Sequence, residues 1–248
     1  MPEYGAPRGI HILLAKHVPH ILERIFFSLD RDSFDACREV CTSWNLLLES
    51  APFQRRYDKM LAMKRELEEE LIDSSTFGDA DVVGRLLSLG VDKDCESGSG
   101  DGSGYEGGTP LYWAATNGHA DVVRLLLDAG ADLDKADVDG ETPLYWASVK
   151  DHRDVVKMLL DAGANPDLAN NKDEKTPLYQ AAESGLEEVV KLLLHAGADP
   201  NKHDEEGITP IYKAVQNGHM EIAKLLIKGG ALKEEHYQTN MILQEWLK

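Results

Sequence analysis

The sequence predicts an all-α fold in which a small N-terminal helical bundle precedes a solenoid of stacked helix pairs. The first observation is a four-residue signature, Thr-Pro followed by Leu or Ile and then Tyr, whose copies begin 33, 34 and 33 residues apart. Similarity at such a fixed period is typical of stacked repeats. The second observation is that two short apolar stretches with helical spacing follow each copy. The copies are Thr109–Tyr112, Thr142–Tyr145, Thr176–Tyr179 and Thr209–Tyr212.

The first signature shows how each pair of helices is specified. Thr109 is a good N-cap, and Pro110 suits the first helical position, where its missing N–H is not needed. The stripe of Leu111, Ala114 and Ala115 is narrow, so the next repeat can approach closely. A glycine after this helix accepts a left-handed conformation and ends it. The second helix is predicted to bury Val122, Val123, Leu125, Leu126 and Leu127.

These repeats resemble those of the ankyrin family. The resemblance covers residues 71–233, about five repeats, of which the first lacks the Thr-Pro start. It rests on phrases such as Asn117-Gly118-His119 and Gly130-Ala131-Asp132. It implies an α-solenoid with β-hairpin fingers that acts as a protein-interaction module. The family usually has His where this chain has tyrosine, a departure shared by all four copies: Tyr112, Tyr145, Tyr179 and Tyr212.

The candidate target-binding residues follow from helix geometry and from this resemblance. At about 100° per residue, Trp113 lies nearly opposite the apolar stripe, and Trp146 takes the same place one repeat later. Tryptophan is common among interface hot spots, although each ring could instead be packing between repeats. Finger tips and inner helices commonly form the target site in this family. The candidate set is Tyr105, Glu106, Trp113, Asn117, Asp139, Glu141, Trp146, Lys150, Lys172, Asp173, Gln180, Glu205, Glu206 and Lys213.

Charge and composition narrow the class of partner. Residues 1–76 carry 10 basic and 13 acidic side chains, and residues 77–248 carry 16 and 31. Such acidic repeats would repel nucleic acid and anionic lipid, so we expect a neutral or basic protein target. Three cysteines and no secretory or membrane segment predict a reducing compartment, cytoplasmic or nuclear. We expect a monomer outside its complex.

Catalysis is not expected, since no nucleophile–base pair, metal set or cofactor site is recognisable. His119, His152 and His219 repeat at one position and are assigned to turn hydrogen bonding. The Gly-x-Gly-x-x-Gly match at 102–107 lies in a long finger loop without the strand and helix that a dinucleotide site needs. We therefore predict no enzyme activity, no cofactor and no metal.

The N-terminal segment has a different pattern. Residues 1–16 are predicted to be poorly ordered, and residues 17–57 to form about three short helices. The order of residues in 17–57 resembles an F-box, the module that joins a Skp-type adaptor to a Cullin ubiquitin ligase. By that resemblance the adaptor would contact Pro19, Ile21, Leu22, Ile25 and Leu29. The alternative is that these helices only cap the repeats.

Two further segments complete the domain organisation. Residues 58–70 contain no Gly or Pro and are predicted to be a helical linker. Residues 234–248 are predicted to be a helix that caps the last repeat, with a docking peptide as the alternative. The leading functional hypothesis is the substrate-recognition subunit of a Skp–Cullin–F-box ligase. The alternative is a non-catalytic ankyrin scaffold or inhibitor.

Overall fold

The structure, a computed structural model, describes residues 51–98 and 107–231, and α-helix is the regular secondary structure of this part of the chain. The chain divides into two compact units, Met1–Met63 and Lys64–Lys248. The boundary lies inside the first described helix, α1 (Ala51–Phe77), which includes residues 58–70. Nearly all of the predicted adaptor-binding module, and the predicted C-terminal capping helix, lie outside the described residues.

Nine more helices follow within those ranges, and they form two layers. Inner helices pack on inner helices, outer on outer, and each inner helix also packs on the outer helix that follows it. This confirms the predicted all-α repeat fold. The inner helices are α3 (Pro110–Thr116), α5 (Pro143–Val149), α7 (Pro177–Ser184) and α9 (Pro210–Gln216). The outer helices are α2 (Ala80–Ser88), α4 (Ala120–Asp128), α6 (Arg153–Asp161), α8 (Glu187–His195) and α10 (Met220–Lys228).

The inner helices begin where the Thr-Pro signature predicts. The Thr109 hydroxyl accepts the backbone N–H of Tyr112 at 3.1 Å, and Pro110 occupies the first turn. The Thr142 and Thr176 hydroxyls make the same bond at the starts of α5 and α7. Each cap satisfies one of the N–H groups that a helix start leaves unpaired. The Thr-Pro signature therefore specifies the start of a helix through residues that are close together in the sequence.

Small residues keep the inner helices close together. Ala114, Ala147, Ala181 and Ala214 are completely buried at equivalent positions of α3, α5, α7 and α9. The leucine or isoleucine three residues earlier is buried as well, and these side chains belong to one continuous core. A larger side chain at the alanine position would separate neighbouring helices, because protein cores are packed without spare volume.

The fingers differ from the predicted β-hairpins, because residues 51–98 and 107–231 contain no strand. The finger at 137–141 is closed by two backbone bonds, from the N–H of Asp137 to the carbonyl of Glu141 and from the N–H of Gly140 to the carbonyl of Asp137. The backbones of adjacent fingers are joined by single bonds, from Asn171 N–H to the Asp139 carbonyl at 2.8 Å and from Glu205 N–H to the Asp173 carbonyl at 3.0 Å. One bond per pair of fingers is too few to form a β-ladder.

The repeated histidines join successive repeats at the turn between inner and outer helix. His119 Nε2 lies 2.9 Å from the Thr76 carbonyl, and His152 Nε2 lies 3.1 Å from the Thr116 carbonyl. A carbonyl oxygen only accepts, so these bonds require the proton on Nε2. The rings also lie against a glycine of the preceding repeat: a Cβ at Gly118 would come within 2.6 Å of His152 Nδ1.

One junction departs from this pattern. Leu186 occupies the histidine position with nearly the same backbone conformation as His152. The preceding glycine position is held by Asp151, whose φ of 59° is in the left-handed region. Where the imidazole is absent, a Cβ is therefore accepted. Asp151 in place of glycine and Leu186 in place of histidine thus occur at the same contact between repeats, because the glycine is needed only where an imidazole ring packs on it.

Candidate functional site

The candidate site is the surface that the inner helices and finger tips leave outside the core. A first row at equivalent positions of α3, α5, α7 and α9 is half-buried, and a second row four residues later is exposed. We call these rows, with finger residues 138–141, 171–175 and 205–208, the inner surface. The first row is Trp113, Trp146, Gln180 and Lys213. The second row is Asn117, Lys150, Ser184 and Asn217.

A third row on the same helix face was missed by the sequence analysis. It lies three residues after the first row, and residues three apart on a helix are neighbours. The helical period alone could have found it. Its members are Thr116, Val149, Glu183 and Gln216, of which only Gln216 is fully exposed.

Trp113 and Trp146 hold equivalent positions but have different surroundings. Trp113 packs against the hydrophobic core, and its ring meets Tyr112 edge-on at 5.2 Å between centroids. Its indole leaves no room for a side chain at Gly108, where a Cβ would lie 2.7 Å from Nε1. Much of the Trp113 ring is therefore used for packing, which was the alternative to target binding that the sequence left open. Trp113 nevertheless stays half-buried on the inner surface.

Trp146 is held by three polar or aromatic contacts. Its indole N–H donates to Glu141 Oε2 at 2.9 Å. Its ring meets Tyr145 edge-on at 6.1 Å, and the Lys150 ammonium lies over it, 5.5 Å from the centroid. The structure thus brings together three residues of the predicted set: Glu141, Trp146 and Lys150. The ring is oriented before any partner arrives.

Glu141 is not the exposed finger-tip residue that the sequence analysis expected. Its exposed fraction is only 8 %, because its carboxylate folds back onto Trp146. Burial, and then the neighbouring Asp137 carboxylate, raise the pKa of Glu141, while Lys172, the Trp146 indole and the Asn170 amide act against this. Glu141 therefore supports Trp146, and a partner cannot reach it without rearrangement.

Two aspartates organise the fingers. Asp137 Oδ1 accepts the N–H groups of Asp139 and Glu141, and its Oδ2 accepts the Tyr112 hydroxyl at 2.9 Å. Asp204 does the same for the next such finger, and the Tyr179 hydroxyl donates to it at 2.6 Å. Tyrosine thus anchors the finger base through an aspartate 25 residues later.

These hydrogen bonds, together with burial, shift the pKa values of the groups at the finger bases. Burial would by itself raise the pKa of Asp204, but the Tyr179 hydroxyl and two backbone N–H donors outweigh it and hold that pKa below its usual range. Burial and the adjacent carboxylates raise the pKa values of Tyr112 and Tyr179. All of these groups keep their usual charge at neutral pH, so the finger bases are structural.

Three lysines of the inner surface form ion pairs. Lys172 lies 2.6 Å from Asp139, and Lys175 lies 2.9 Å from Asp173. Glu183 of α7 lies 3.4 Å from Lys175 and 3.6 Å from Lys213 of α9. The inner surface is therefore aromatic around α3 and α5 and ion-paired around α7 and α9. Gln180 lies between these two parts.

The remaining predicted residues are placed as follows. Glu205 and Glu206 are exposed at a finger tip, and Asn117 is exposed at the end of α3, where its amide donates to the Trp113 carbonyl. Tyr105 and Glu106 lie outside the described residues. Asp137, Asp139 and Glu141 bring carboxylate oxygens within 4.8 Å of one another, with hydrogen-bond donors already on them.

Comparison with known proteins identifies the repeats. The ankyrin-repeat family profile matches residues 71–170 and 178–243 as three copies. This chain belongs to the ankyrin-repeat family. The array is accordingly a protein–protein interaction module. No F-box domain is detected, so that resemblance stays a prediction.

Among curated proteins, none matches the chain significantly. Within residues 51–98 and 107–231, no helix is long and apolar enough to span a bilayer.

Proposed function

We propose that the ankyrin array binds a target protein through the inner surface and that residues 17–57 attach the chain to a Skp-type adaptor. The protein would then be the substrate-recognition subunit of a Skp–Cullin–F-box ubiquitin ligase. It would carry out no covalent chemistry itself. Its contribution would be to raise the concentration of the target near the ligase, which linkage of two binding sites achieves without any new contact.

The observation that carries the target-binding part is the fixed orientation of Trp146. Its indole N–H bond to Glu141 and its edge contact with Tyr145 hold a large, half-buried ring on the inner surface. An ordered side chain loses little further freedom on binding, so more of its contact energy appears as affinity. Tryptophans in such settings dominate many interfaces.

The charge of the array supports a neutral or basic target. Residues 77–248 carry nearly twice as many acidic as basic side chains, 31 against 16. Nucleic acid and anionic lipid would be repelled by that field. A protein target with a basic surface would be attracted, and its association would be faster at low ionic strength.

A matched pair of serine substitutions tests the surface. Ser184 ends α7 on the inner surface, and Ser88 ends the outer helix α2; both are exposed. Arginine at either place adds the same charge and volume to a helix end that favours a cation. We expect Ser184→Arg, but not Ser88→Arg, to remove the protein that co-purifies with the wild-type chain. Equal loss with both variants would contradict target binding through the inner surface.

The adaptor part is supported by the residue order from Pro19 to Leu29, and a separate experiment tests it. The full chain is co-purified with a Skp-type adaptor beside a Leu22→Asp/Ile25→Asp double variant. We expect a stoichiometric complex with the wild type only, because two buried carboxylates would make docking costly. If the wild type also fails to bind while remaining folded, the ligase proposal is wrong.

That second outcome would favour the alternative function, a non-catalytic ankyrin scaffold or inhibitor. In that case residues 17–57 would only cap the repeats. A chain lacking residues 1–57 would then keep its target and lose no ligase association.

A further inference from the structure

We propose that the target presents an arginine or lysine side chain to the indole of Trp146, in the place that the Lys150 ammonium occupies in the free protein. This inference rests on the proposed function of the inner surface and names the chemistry that the surface recognises. Tryptophan is the aromatic side chain that attracts cations most strongly. Lys150 is exposed, and its Nζ lies 5.5 Å from the ring centroid, so this face of the ring is open to a cation from outside.

The contact on the ring's nitrogen strengthens its attraction for a cation. The indole N–H donates to the Glu141 carboxylate at 2.9 Å, and a donor bonded to an anion leaves the rest of its ring more electron-rich. Glu141 is 8 % exposed and lies beside Asp137 and Asp139. The negative field of these carboxylates adds to that of the ring.

The equivalent tryptophan provides a contrast within the same protein. Trp113 packs on the core, and its Nε1 lies only 2.7 Å from where a Cβ of residue 108 would be, a distance that is possible because that residue is glycine. Trp146 has Glu141 at the corresponding place, five residues before it, and a lysine four residues after it. The combination of carboxylate, indole and ammonium is therefore assembled at α5, where the array would receive a cation.

The remaining charge of the inner surface also selects a basic partner. Three of its lysines already have carboxylate partners: Lys172 with Asp139, Lys175 with Asp173 and Lys213 with Glu183. By contrast, Glu174, Glu205 and Glu206 are exposed at the finger tips, and none forms an ion pair within the described part of the chain. An acidic partner would meet these carboxylates, whereas a basic segment would be complementary to them.

The test uses the full chain and short peptides of equal length that carry arginine, leucine or glutamate at the same positions in a Gly/Ser background. The readout is the indole N–H resonance of Trp146 in the nitrogen-15-labelled protein, assigned by its loss in Trp146→Phe. We expect the arginine peptide to shift this resonance, and the leucine and glutamate peptides to leave it unchanged.

Two matched lysine variants distinguish attraction by the Trp146 ring from attraction by the net charge of the protein. Removing Lys150 frees the aromatic face, whereas removing Lys157, on the outer helix α6 of the same repeat, takes away the same charge together with an exposed ion pair to Asp161. Lys150→Ala is expected to tighten arginine-peptide binding by about twofold to fivefold, the value of one exposed cation–π contact. Lys157→Ala should change it by much less. Trp146→Leu should weaken binding by about fivefold or more, with an unchanged far-ultraviolet circular dichroism spectrum.

Equal effects of Lys150→Ala and Lys157→Ala would overturn the proposal, because the attraction would then come from net charge alone. A shift of the Trp146 resonance by the leucine or glutamate peptide, and not by the arginine peptide, would overturn the chemistry assigned to the target. Either result leaves the inner surface as a binding site if Ser184→Arg still removes the co-purifying partner. If Ser184→Arg removes nothing, the failure lies in the proposed function itself.

Discussion

Replacing Gly118 with alanine tests the packing of histidine on glycine that joins successive repeats. Gly118 has a φ of +74°, in the left-handed region, which costs an alanine about 1–2 kcal/mol. The added Cβ would also lie 2.6 Å from His152 Nδ1 and 2.7 Å from its Cε1. Carbon atoms in contact are ordinarily about 3.5–4.0 Å apart, so the ring must move by about 1 Å.

Moving the imidazole has a second cost. His152 Nε2 would leave its hydrogen bond to the Thr116 carbonyl, now 3.1 Å long, which contributes about 0.5–1.5 kcal/mol. Overpacking of this kind typically costs about 1–3 kcal/mol. Counting the lost hydrogen bond within the overpacking cost and adding the backbone cost, we expect Gly118→Ala to lower the free energy of unfolding by about 2–5 kcal/mol in total.

Gly218 provides the control, because the same backbone cost arises there without the clash. Its φ is +79°, and no described residue has an atom within 4 Å of the position of a Cβ. Gly218→Ala should lose only the backbone share, about 1–2 kcal/mol. The measurement is urea unfolding followed by far-ultraviolet circular dichroism, with the slope compared between variants to check that the transition is the same.

A double variant completes the cycle. His152→Leu copies the natural pair of Asp151 and Leu186, so in the Gly118→Ala/His152→Leu chain the excess cost of the alanine should disappear. If Gly118→Ala and Gly218→Ala cost the same, or if the leucine restores nothing, the ring contact does not decide which residue this turn accepts.

Three further predictions concern single groups. Glu174 has a φ of +56° where equivalent finger positions have Gly140 and Gly207. Glu174→Gly should therefore raise the free energy of unfolding by about 1 kcal/mol, seen as a higher urea midpoint, and a lowered midpoint would contradict this. The pKa of Asp204 is below its unfolded value, so the stability that its carboxylate contributes is complete above about pH 4 and is lost as the pH falls further. The difference in free energy of unfolding between the wild type and Asp204→Asn should therefore become smaller at lower pH, and a constant difference would argue against this. Burial, then Glu68 and Asp92, raise the pKa of the Cys95 thiol from 9.0 to about 12. Native Cys95 should thus alkylate at pH 8 about a thousandfold more slowly than in urea, by peptide mass spectrometry; similar rates would refute its burial.

The finger structure shows where sequence reasoning reached its limit. The tyrosines that replace the usual histidine did not by themselves predict a partner, and the structure shows that Tyr112 donates to Asp137 and Tyr179 to Asp204. A Tyr and an Asp separated by 25 residues form a pattern only once the repeat is known. The same limit applies to Glu141, whose position in the sequence predicts an exposed finger-tip residue but whose side chain is buried.

The sequence by itself determined the period, the helix starts and the buried stripes of this ankyrin array. Those features depend on residues within a few positions of one another, such as Thr109 with Tyr112. Only the tertiary structure decided which lysines are paired, that Trp146 is oriented by Glu141, and that Trp113 packs on Gly108. These outcomes depend on how side chains of fingers and neighbouring repeats settle against one another. The helical period places each side chain on a face but does not determine its partner.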